Sequence, residues 1–592
     1  MSHFTTEFLP IMNGYNGKME SSSSLSWIVG FLLLTVALGC FLIYRSLLPK
    51  PIAGIPYNHD AANRLLGDVP EAMQHIKETE EMMTFLTTQI ERHNTPIVQV
   101  FMRPGGKPWV ILSDFRESQD ILVRRTREFD RSDFFGDLFI SVLPANQVHM
   151  RTNDTWRAHR RLMADTMSTA FLNKVAAQQI YGSALEIVGM WREKARLADG
   201  RPFQVYKDVF RGALDVIWAV TFGSEVGTTR NQRKYLSELK GIEVSTDVDA
   251  PVDLPMIQNP EAFEAIMTLG ESCEIPMKSP FPRLHHAMAL RFYPRYVSAR
   301  KVVDRLLTDG LRSAWVKFTQ QGASEGEVRS ALDLMVEREV VMAKKAERKP
   351  AYDTQDIRDE LLGFLFAGHE TTSTTLTWGL KFITTKRDVQ QKLRGVLQAE
   401  FQRAHVARVN PTVEEIVTAD IPYLDAVIEE IHRCGGTASS NVRVATEDAV
   451  VLGHLIPKGT SVFMLCNGPG YKSRPIAIDE SKRSKTSQEN VRDNVSWDPN
   501  NANDFLPERW LVANEKGHLV FEPRAGPNQP FGAGPRGCFG RKLASLELKL
   551  LVILFVWSFD LQPTPPALSS FAGHDGMTHS PQQCFLRLKP LL

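Results

Sequence analysis

One short stretch near the C-terminus constrains this chain more than any other. Residues 531–540 read FGAGPRGCFG, so a single cysteine, Cys538, ends a glycine-rich turn, and the residues after Gly540 have the apolar spacing of a helix. Backbone N–H groups and a helix N-terminus favour a thiolate over a thiol. Glycines let the chain turn tightly and lie close to a flat ligand. The stretch therefore suits a metal-binding thiolate.

Two other interpretations of this stretch compete with a metal ligand. Residues 532–537 fit GxGxxG, the dinucleotide fingerprint, which carries weight only after a strand and inside a βαβ unit. Residues 522–530 contain three prolines, which exclude a central strand before the motif. The second alternative is a buried structural cysteine, the usual fate of a free thiol. The rest of the chain has to decide between them.

Composition narrows the classes of function. The chain has 592 residues with a formal net charge of +1, so there is no global basic field and no nucleic-acid partner is expected. None of the six cysteines forms a CxxC pair, which argues against a zinc knuckle or a disulfide framework and for a reducing compartment. Without internal repeats, the length favours one large catalytic body.

The N-terminal region predicts a membrane anchor. Residues 1–24 are polar and rich in serine, whereas residues 25–44 form an uncharged run that is long enough to span a bilayer as a helix. A core helix would carry a polar stripe, and the apolar region of a cleaved signal peptide is shorter. A proline-rich hinge follows over residues 45–56. Arg45 and Lys50 lie after the span, which places the body in the cytosol.

Two polar patterns fall on predicted helices upstream of the cysteine loop. Trp156 and Arg160 lie four residues apart and share a helix face, although a surface cation would explain this pair equally well. A long helix is predicted over 356–383 with Ala-Gly-His-Glu-Thr-Thr in its middle. A glycine inside a helix costs about 1 kcal/mol relative to alanine. We attribute Gly368 to the close approach of a ligand.

A third pattern combines a helix with a short motif farther along the chain. Glu430 and Arg433 lie three apart on the helix predicted over 421–434, a common spacing that is weak on its own. Arg509 follows in the sequence Pro-Glu-Arg-Trp.

Together these motifs resemble a known family. The stretch FGAGPRGCFG matches, at every defined position, the cysteine-loop signature of the haem-thiolate monooxygenases, the cytochrome P-450 superfamily. The four motifs follow in the family's order from Trp156 to Gly540, and the chain is similar to microsomal members from filamentous fungi. The resemblance implies a mainly α fold with a small β region over residues 57–592, preceded by one transmembrane helix.

The same resemblance implies a cofactor and its site. The cofactor is haem b (iron protoporphyrin IX) with Cys538 as the axial thiolate ligand. Glu370 and Thr371 would relay protons to bound oxygen, because an acid can pass a proton on and an alcohol can hold a water. Glu430, Arg433 and Arg509 would form a buried ionic network behind the cysteine loop. The implied cofactor-binding residues are Trp156, Arg160, Ala367, Gly368, Arg443, Phe531, Arg536, Cys538 and Gly540.

The implied reaction is monooxygenation of a small apolar organic substrate by O₂, in secondary-metabolite biosynthesis. The sequence shows no flavin or NADPH module, so the expected partner is a separate NADPH-dependent reductase at the endoplasmic reticulum membrane. Two alternatives stay open. A reductase-independent haem-thiolate isomerase or peroxygenase would tend to lack the acid–threonine pair, and a non-enzymatic haem sensor would show no substrate-stimulated consumption of NADPH.

Three segments leave the family pattern or fit it loosely. Cys434-Gly435-Gly436 stands where the family has an apolar residue and then His-Pro, which leaves the shape of the following loop open. Residues 472–494 are highly charged without aromatics, and we expect a disordered surface insertion. A terminal hairpin is expected over 571–586, with residues 576–578 at its tip lining the pocket.

Overall fold

Helices dominate the part of the chain that the structure describes. The computed structural model describes residues 20–279, 281–321, 325–493 and 495–592, apart from the side chains of residues 20–26 and 325. Most of the polar N-terminal segment, residues 1–19, lies outside the described residues, and so does Asn494 at the end of the charged segment.

The helices run along the whole described chain. In the first half they are α1 (Glu20–Leu47), α2 (His59–Ala62), α3 (Val69–Thr79), α4 (Met82–His93), α5 (Phe115–Val123), α6 (Asp133–Phe139), α7 (Asp154–Met163), α8 (Thr169–Phe171), α9 (Ala177–Ala198), α10 (Tyr206–Phe222), α11 (Thr228–Glu238) and α12 (Glu261–Ser272). In the second half they are α13 (Pro282–Phe292), α14 (Pro294–Thr319), α15 (Ala331–Lys345), α16 (Gln355–Thr385), α17 (Arg387–Glu400), α18 (Gln402–Ala407), α19 (Val413–Thr418), α20 (Pro422–Gly435), α21 (Lys485–Glu489) and α22 (Arg541–Ser558).

The strands are short and form small sheets. They are β1 (Ile97–Val100), β2 (Trp109–Leu112), β3 (Phe129–Arg131), β4 (Phe203–Gln204), β5 (Ser440–Ala445), β6 (Ala449–Val451), β7 (His454–Ile456), β8 (Ser461–Leu465), β9 (Leu511–Ala513), β10 (Leu519–Phe521), β11 (Phe559–Gln562), β12 (Gly573–Asp575), β13 (His579–Pro581) and β14 (Phe585–Pro590). The prediction of a mainly α fold with a small β region is confirmed.

The largest sheet carries one side of the site. Its strand order is β1-β2-β8-β5-β3, and β2 pairs with β8 in parallel while the other neighbours are antiparallel. Arg131 on β3 lies directly opposite Arg443 on β5. Side chains of directly opposed residues lie close together on one face of the sheet. Two basic side chains are thereby brought together from positions far apart in the sequence.

Helix α16 is the central element of the helical core. It contains 31 residues and begins after Thr354, whose hydroxyl accepts a hydrogen bond from the N–H of Ile357. The helix predicted over 356–383 is confirmed. α16 packs against α10 on one side and against α20 and α22 on others. The main apolar core surrounds it, so most of its residues are buried, apart from those at its two ends and around Ala367 and Thr371.

The N-terminal helix is apolar and stands apart from the core. Trp27–Leu47 has a mean hydropathy of 2.4 with none of this stretch buried, which is long and apolar enough to cross a membrane. The segment after it is tied to the body. Gly105 donates a backbone hydrogen bond to Leu47, and the side chain of Gln99 bonds both backbone groups of Ile52.

The segment that we predicted to be a disordered insertion is ordered where the structure describes it, over residues 472–493. It contains α21 and two short 3₁₀ turns. Arg116 on α5 donates to the backbone carbonyl of Ser487 at 2.8 and 3.0 Å, and Arg483 pairs with Asp114 at 2.6 Å. The prediction of disorder differs from the structure because the charges of this segment find partners on α5.

Candidate active site

The cysteine loop is a compact turn closed by its own backbone. The N–H of Cys538 donates to the carbonyl of Phe531 at 2.8 Å, and Gly532 and Gly534 adopt φ values of 62° and 67° that favour glycine. A Cβ on Gly534 would lie 2.0 Å from the carbonyl oxygen of Leu122 on α5. Glycine at this position therefore allows the loop to pack closely against α5.

Cys538 lies three residues before the start of α22. Its surface is accessible, yet burial among protein atoms raises the pKa of the thiol. The backbone N–H groups of Gly540 and Arg541 and the positive charges of Arg160 and Arg541 act in the opposite direction and lower this pKa. The backbone of Gly540 thus acts on the sulfur, while the space around its Cα is open. These donors and charges would stabilise a thiolate.

Four arginines from four different elements converge beside the cysteine loop: Arg131, Arg160, Arg443 and Arg536. Burial lowers the pKa of Arg443 and of Arg536 to about 10, and it also lowers the pKa of Arg131 well below its usual value. The Nε atoms of Arg131 and Arg536 are buried without a hydrogen-bond partner among the described residues. Asp130 is the carboxylate that acts on three of these arginines, and it already accepts hydrogen bonds from other groups.

Trp156 holds two of these arginines in place. It is buried on α7, which begins after Asn153, whose side chain accepts the N–H of Trp156 at 2.9 Å. The guanidinium groups of Arg160 and Arg536 lie 5.6 and 4.5 Å from the centre of its ring, within the range of cation–π attraction. Arg160 also lies 4.8 Å from the ring of Phe539, next to Cys538. The predicted pair on α7 therefore joins the arginine cluster.

Helix α16 exposes small side chains in the middle of the core. Ala367 and Thr371 lie one turn apart and are accessible, although the rest of the helix is largely buried. The hydroxyl of Thr371 donates to the carbonyl of Ala367 at 2.6 Å. We expected Gly368 to allow the close approach of a ligand. In the structure, a Cβ at this position would lie 2.6 Å from the side chain of Ile217 on α10. Packing of α10, rather than the approach of a ligand, accounts for this glycine.

Glu370 is a buried carboxylic acid next to Thr371. Burial raises its pKa to about 7, hydrogen bonding by Thr578 lowers it, and the charge of Glu274 raises it. The hydroxyl of Thr578 donates to Glu370 at 3.0 Å and lies 2.9 Å from the hydroxyl of Thr374. A carboxyl group with a pKa near 7 can both release and take up a proton at neutral pH.

Glu430, Arg433 and Arg509 meet behind the site. Arg433 makes two bonds of 2.8 Å to the carboxylate of Glu430, and Arg509 adds one of 3.0 Å. The same carboxylate accepts the backbone N–H of Leu506 at 2.8 Å and the indole N–H of Trp510 at 2.9 Å. Arg433 and Glu430 are almost fully buried. Both arginines of this group are therefore paired with the carboxylate of Glu430.

The unusual Cys434-Gly435-Gly436 sequence ends α20. Gly436 adopts φ 59° and caps the helix by donating its N–H to the carbonyl of His432 at 3.1 Å. A Cβ on Gly435 would lie 3.0 Å from the Cβ of Trp378 on α16. The two glycines let the chain leave α20 sharply while that helix lies close to α16.

Comparison with known proteins agrees with this arrangement. The sequence model of the family described as Cytochrome P450 matches residues 69–471 and 490–582 of the chain. The chain belongs to the cytochrome P450 family. The family model does not match residues 472–489. These residues make up most of the charged segment that contacts α5, so this part of the chain is additional to the family pattern.

Its relatives include P450 monooxygenases of fungi. The chain is 42% identical to cytochrome P450 monooxygenase GME11363 of Pestalotiopsis microspora, over 97% of this chain and 100% of that protein. It is 36% identical to cytochrome P450 monooxygenase TRI13 of Fusarium sporotrichioides, over 94% and 98%. A crystal structure of a cytochrome P450 (CYP102L1) shares the fold, with a TM-score of 0.63 at 19% identity over 92% of this chain and 99% of that one. This chain is a P450 monooxygenase, and its cofactor is haem with an axial cysteine thiolate.

The residues of this site fit the cofactor of the P450 family. Haem combines a flat ring with two carboxylates and an iron that takes a thiolate ligand. The orphaned Nε atoms of Arg131 and Arg536 offer buried donors for carboxylates. Cys538 presents an accessible thiol, and Ala367 leaves room on α16 for a flat group. Asp130 is one carboxylate against four cations. Because unpaired charges inside a protein are costly, two further carboxylates would account for the cluster.

Two residues of the site were not found from the sequence. Arg131 was missed as a member of the arginine cluster, although pairing of its segment with β5 would have placed it opposite Arg443. Thr578 was placed in a pocket-lining tip, but its contact with Glu370 was not anticipated. No local pattern marks this contact, since the two residues are 208 positions apart.

Proposed function

We propose that this P450 uses Cys538 as the thiolate ligand of haem and hydroxylates, or oxidises in a related way, a small apolar organic molecule. The observation that carries the proposal is that an accessible Cys538 thiol lies beside four arginines, two buried and two half-buried, that form no ion pair among the described residues. When bound, haem would supply the activation of O₂. The chain's own residues hold the cofactor, shape the space above it and move protons.

Positioning of the cofactor falls to the cations and to the cysteine loop. The two carboxylates of haem would be neutralised by Arg160, Arg443 and Arg536, together with Arg131. Binding of these carboxylates would also relieve the repulsion between the arginines. Phe531 lies beside the loop, where its carbonyl accepts the N–H of Cys538 and its ring contacts His432 edge-on at 4.9 Å. These contacts would keep the sulfur in a defined position and keep bulk water away from it.

Proton supply falls to Glu370 and Thr371. Glu370 can exchange a proton at neutral pH because burial raises its pKa to about 7. Thr371 faces the accessible side of α16 and bonds back to Ala367, which leaves its oxygen able to accept a hydrogen bond from a water. The acid would supply protons, and the alcohol would hold the water that passes them on.

Electrons would come from a separate NADPH-dependent reductase. Helix α7, which carries Arg160 of the cluster, exposes Arg157 and Arg161, and the first turn of α22, just after the cysteine loop, exposes Arg541 and Lys542. Such a basic face attracts an acidic partner surface at low ionic strength. Reversing two of these charges should slow reduction by the reductase, and an unchanged rate at low salt would contradict this docking surface.

The location that the geometry supports is a membrane surface, consistent with the endoplasmic reticulum and a cytosolic body. The apolar span of α1 supplies an anchor. The body adds a second apolar region, because α13 and the residue before it expose Phe281, Leu284, Met288 and Phe292 with a helical spacing. The fungal relatives support a role in secondary-metabolite biosynthesis.

The proposed reaction is tested with the full-length protein in membranes, supplemented with an NADPH–cytochrome P450 reductase and heavy-isotope O₂. A panel of small apolar compounds is incubated with and without NADPH. We expect a product that carries one heavy oxygen atom and forms only with both NADPH and the reductase. Product that forms from a peroxide without reductase would instead indicate a peroxygenase or isomerase. Absence of any NADPH-dependent product across the panel would count against the proposal.

A further inference from the structure

The hairpin of β12 and β13 is held by hydrogen bonds to three other parts of the molecule. His579 and Asp575 pair across the hairpin at 2.7 Å, and Asp575 also accepts the backbone N–H of Met83 on α4 at 2.7 Å. The carbonyl of His579 accepts the indole N–H of Trp378 on α16 at 2.8 Å. The N–H of His579 donates to Thr437 in the loop after α20 at 3.1 Å. The hairpin tip therefore has little freedom to move relative to α16.

This fixed tip places one hydroxyl group on the acid of α16. Thr578 lies between the carboxyl of Glu370, at 3.0 Å, and the hydroxyl of Thr374, at 2.9 Å. A hydroxyl group has one proton to donate. When Glu370 is charged, Thr578 donates to it and Thr374 donates to Thr578. When Glu370 is protonated, both bonds can reverse, so the acid changes its charge without any heavy atom moving.

Other ionisable groups surround Glu370. Glu274, in the turn after α12, raises its pKa and forms an ion pair with Lys278 at 3.0 Å. Burial raises the pKa of Tyr206 on α10 and of Cys273 after α12, and the charge of Glu370 adds to both increases. Thr578 alone among these groups donates a hydrogen bond to the carboxyl within the described residues.

We propose that Thr578 is a positioning residue that holds the carboxyl of Glu370 in the orientation and protonation equilibrium needed for proton transfer. The proposal rests on the proposed proton-relay function of Glu370. A side chain held by preorganised hydrogen bonds delivers its proton from one geometry. Without the hydroxyl, the carboxyl can rotate toward other partners, and its charged form loses a donor. The hairpin at the C-terminus would thus control an acid on the central helix.

The proposal is tested by infrared titration of the full-length, haem-loaded protein, using the carboxylic-acid band that disappears in Glu370→Gln. We expect a midpoint near pH 7 in the wild type. Because Thr578 stabilises the charged form, Thr578→Val should raise the midpoint by about one pH unit. Thr578→Ser keeps a hydroxyl and should restore the wild-type midpoint. Thr374→Val, which removes the next hydroxyl, should give a smaller rise.

A second readout separates this proposal from the function of Glu370 itself. In reductase-supported O₂ reduction without added organic compound, we expect Glu370→Gln and Thr578→Val to raise the hydrogen peroxide formed per NADPH consumed. Thr385→Val is the matched control, because its hydroxyl bonds only within α16, to Lys381 at 2.8 Å. If Glu370→Gln changes this ratio while Thr578→Val changes neither the ratio nor the midpoint, the positioning role is wrong. If Glu370→Gln leaves the hydrogen peroxide formed per NADPH unchanged, the relay function of Glu370 is wrong, and the positioning role of Thr578, which depends on it, is wrong as well.

Discussion

Two buried arginine clusters of this molecule have opposite electrostatic character. In the first, Arg433 and Arg509 converge on the carboxylate of Glu430, which accepts five hydrogen bonds in all. The second, beside the cysteine loop, contains four arginines, three of which feel the charge of Asp130, and none of the four forms an ion pair among the described residues. Both clusters are at least half-buried, and both include residues of the P450 family motifs.

The pKa directions of the two clusters show what the difference means. Burial alone would lower the pKa of Arg433, but hydrogen bonding to Glu430 and the nearby negative charges together outweigh it and the pKa is raised. Burial lowers the pKa of Arg443 to about 10, and Asp130 opposes this only in part. A guanidinium stays charged in proteins, so a lowered pKa reports unfavourable electrostatics rather than deprotonation. A neutralised cluster supports the fold, whereas an unneutralised one is suited to an anionic ligand.

The largest effect is expected from breaking the neutralised cluster. Arg433→Ala leaves the carboxylate of Glu430 buried with fewer partners, and removing one member of a buried ionic group costs about 3–5 kcal/mol. We expect this variant to lose haem and to accumulate poorly, as measured by haem content per folded protein. Arg348→Ala removes an exposed arginine that pairs with Glu339 and serves as control. A variant with full haem content and altered product selectivity would contradict a structural role for Arg433.

A smaller and different effect is expected from the unneutralised cluster. Arg443→Met should leave the fold intact, because it removes a buried charge that has no carboxylate bonded to it. It should release haem to excess apomyoglobin about tenfold faster, since a charge-assisted hydrogen bond contributes about 1.5–3 kcal/mol. Arg127→Met, at an exposed arginine near β3, should release haem at the wild-type rate. Unchanged haem release in Arg443→Met would remove this residue from the cofactor site.

Buried carboxylates can be compared in the same way, according to whether they have partners. The smallest effect is expected from a buried carboxylate with few partners. Glu547 on α22 is buried, accepts one long bond of 3.4 Å from Thr372, and has a second oxygen without a partner in the described region. Burial raises its pKa to about 8. Between about pH 5 and 8 the unfolded chain releases this proton while the folded protein keeps it, so stability falls as pH rises.

Glu547→Gln removes this dependence. Its thermal midpoint by circular dichroism should match that of the wild type near pH 5 and exceed it by a few degrees at pH 8. Glu400→Gln, at an exposed carboxylate on α17, should follow the wild type at both pH values. A difference between Glu547→Gln and the wild type that does not grow with pH would show that Glu547 is not the titrating group.

Local patterns predicted much of the fold and of the site. The long helix α16 and the helix α20 follow from apolar spacing. Cys538, the pair of Glu430 and Arg433, and Arg509 were each singled out by a motif that is contained in a short segment. Spacing within a segment is visible in a sequence.

Contacts between distant segments were not predictable in the same way. Arg131 joins the cluster through the register of β3 on β5, and Thr578 reaches Glu370 through a hairpin that is anchored elsewhere. The charged segment over 472–493 is ordered by partners on α5 that are more than 360 residues away. Gly368 was assigned to a ligand because the sequence does not show that Ile217 packs against it.

The central claim is that Cys538 supplies the thiolate ligand of the haem. The most direct test is the absorbance difference spectrum of the reduced, carbon-monoxide-bound protein in membranes, with Cys538→Ala beside the wild type. Cys40→Ala and Cys466→Ala are matched controls at cysteines outside the loop. We expect a strongly red-shifted Soret band in the wild type and in both controls, and its loss in Cys538→Ala. A red-shifted band that persists in Cys538→Ala, or that is absent from the wild type, would contradict the account.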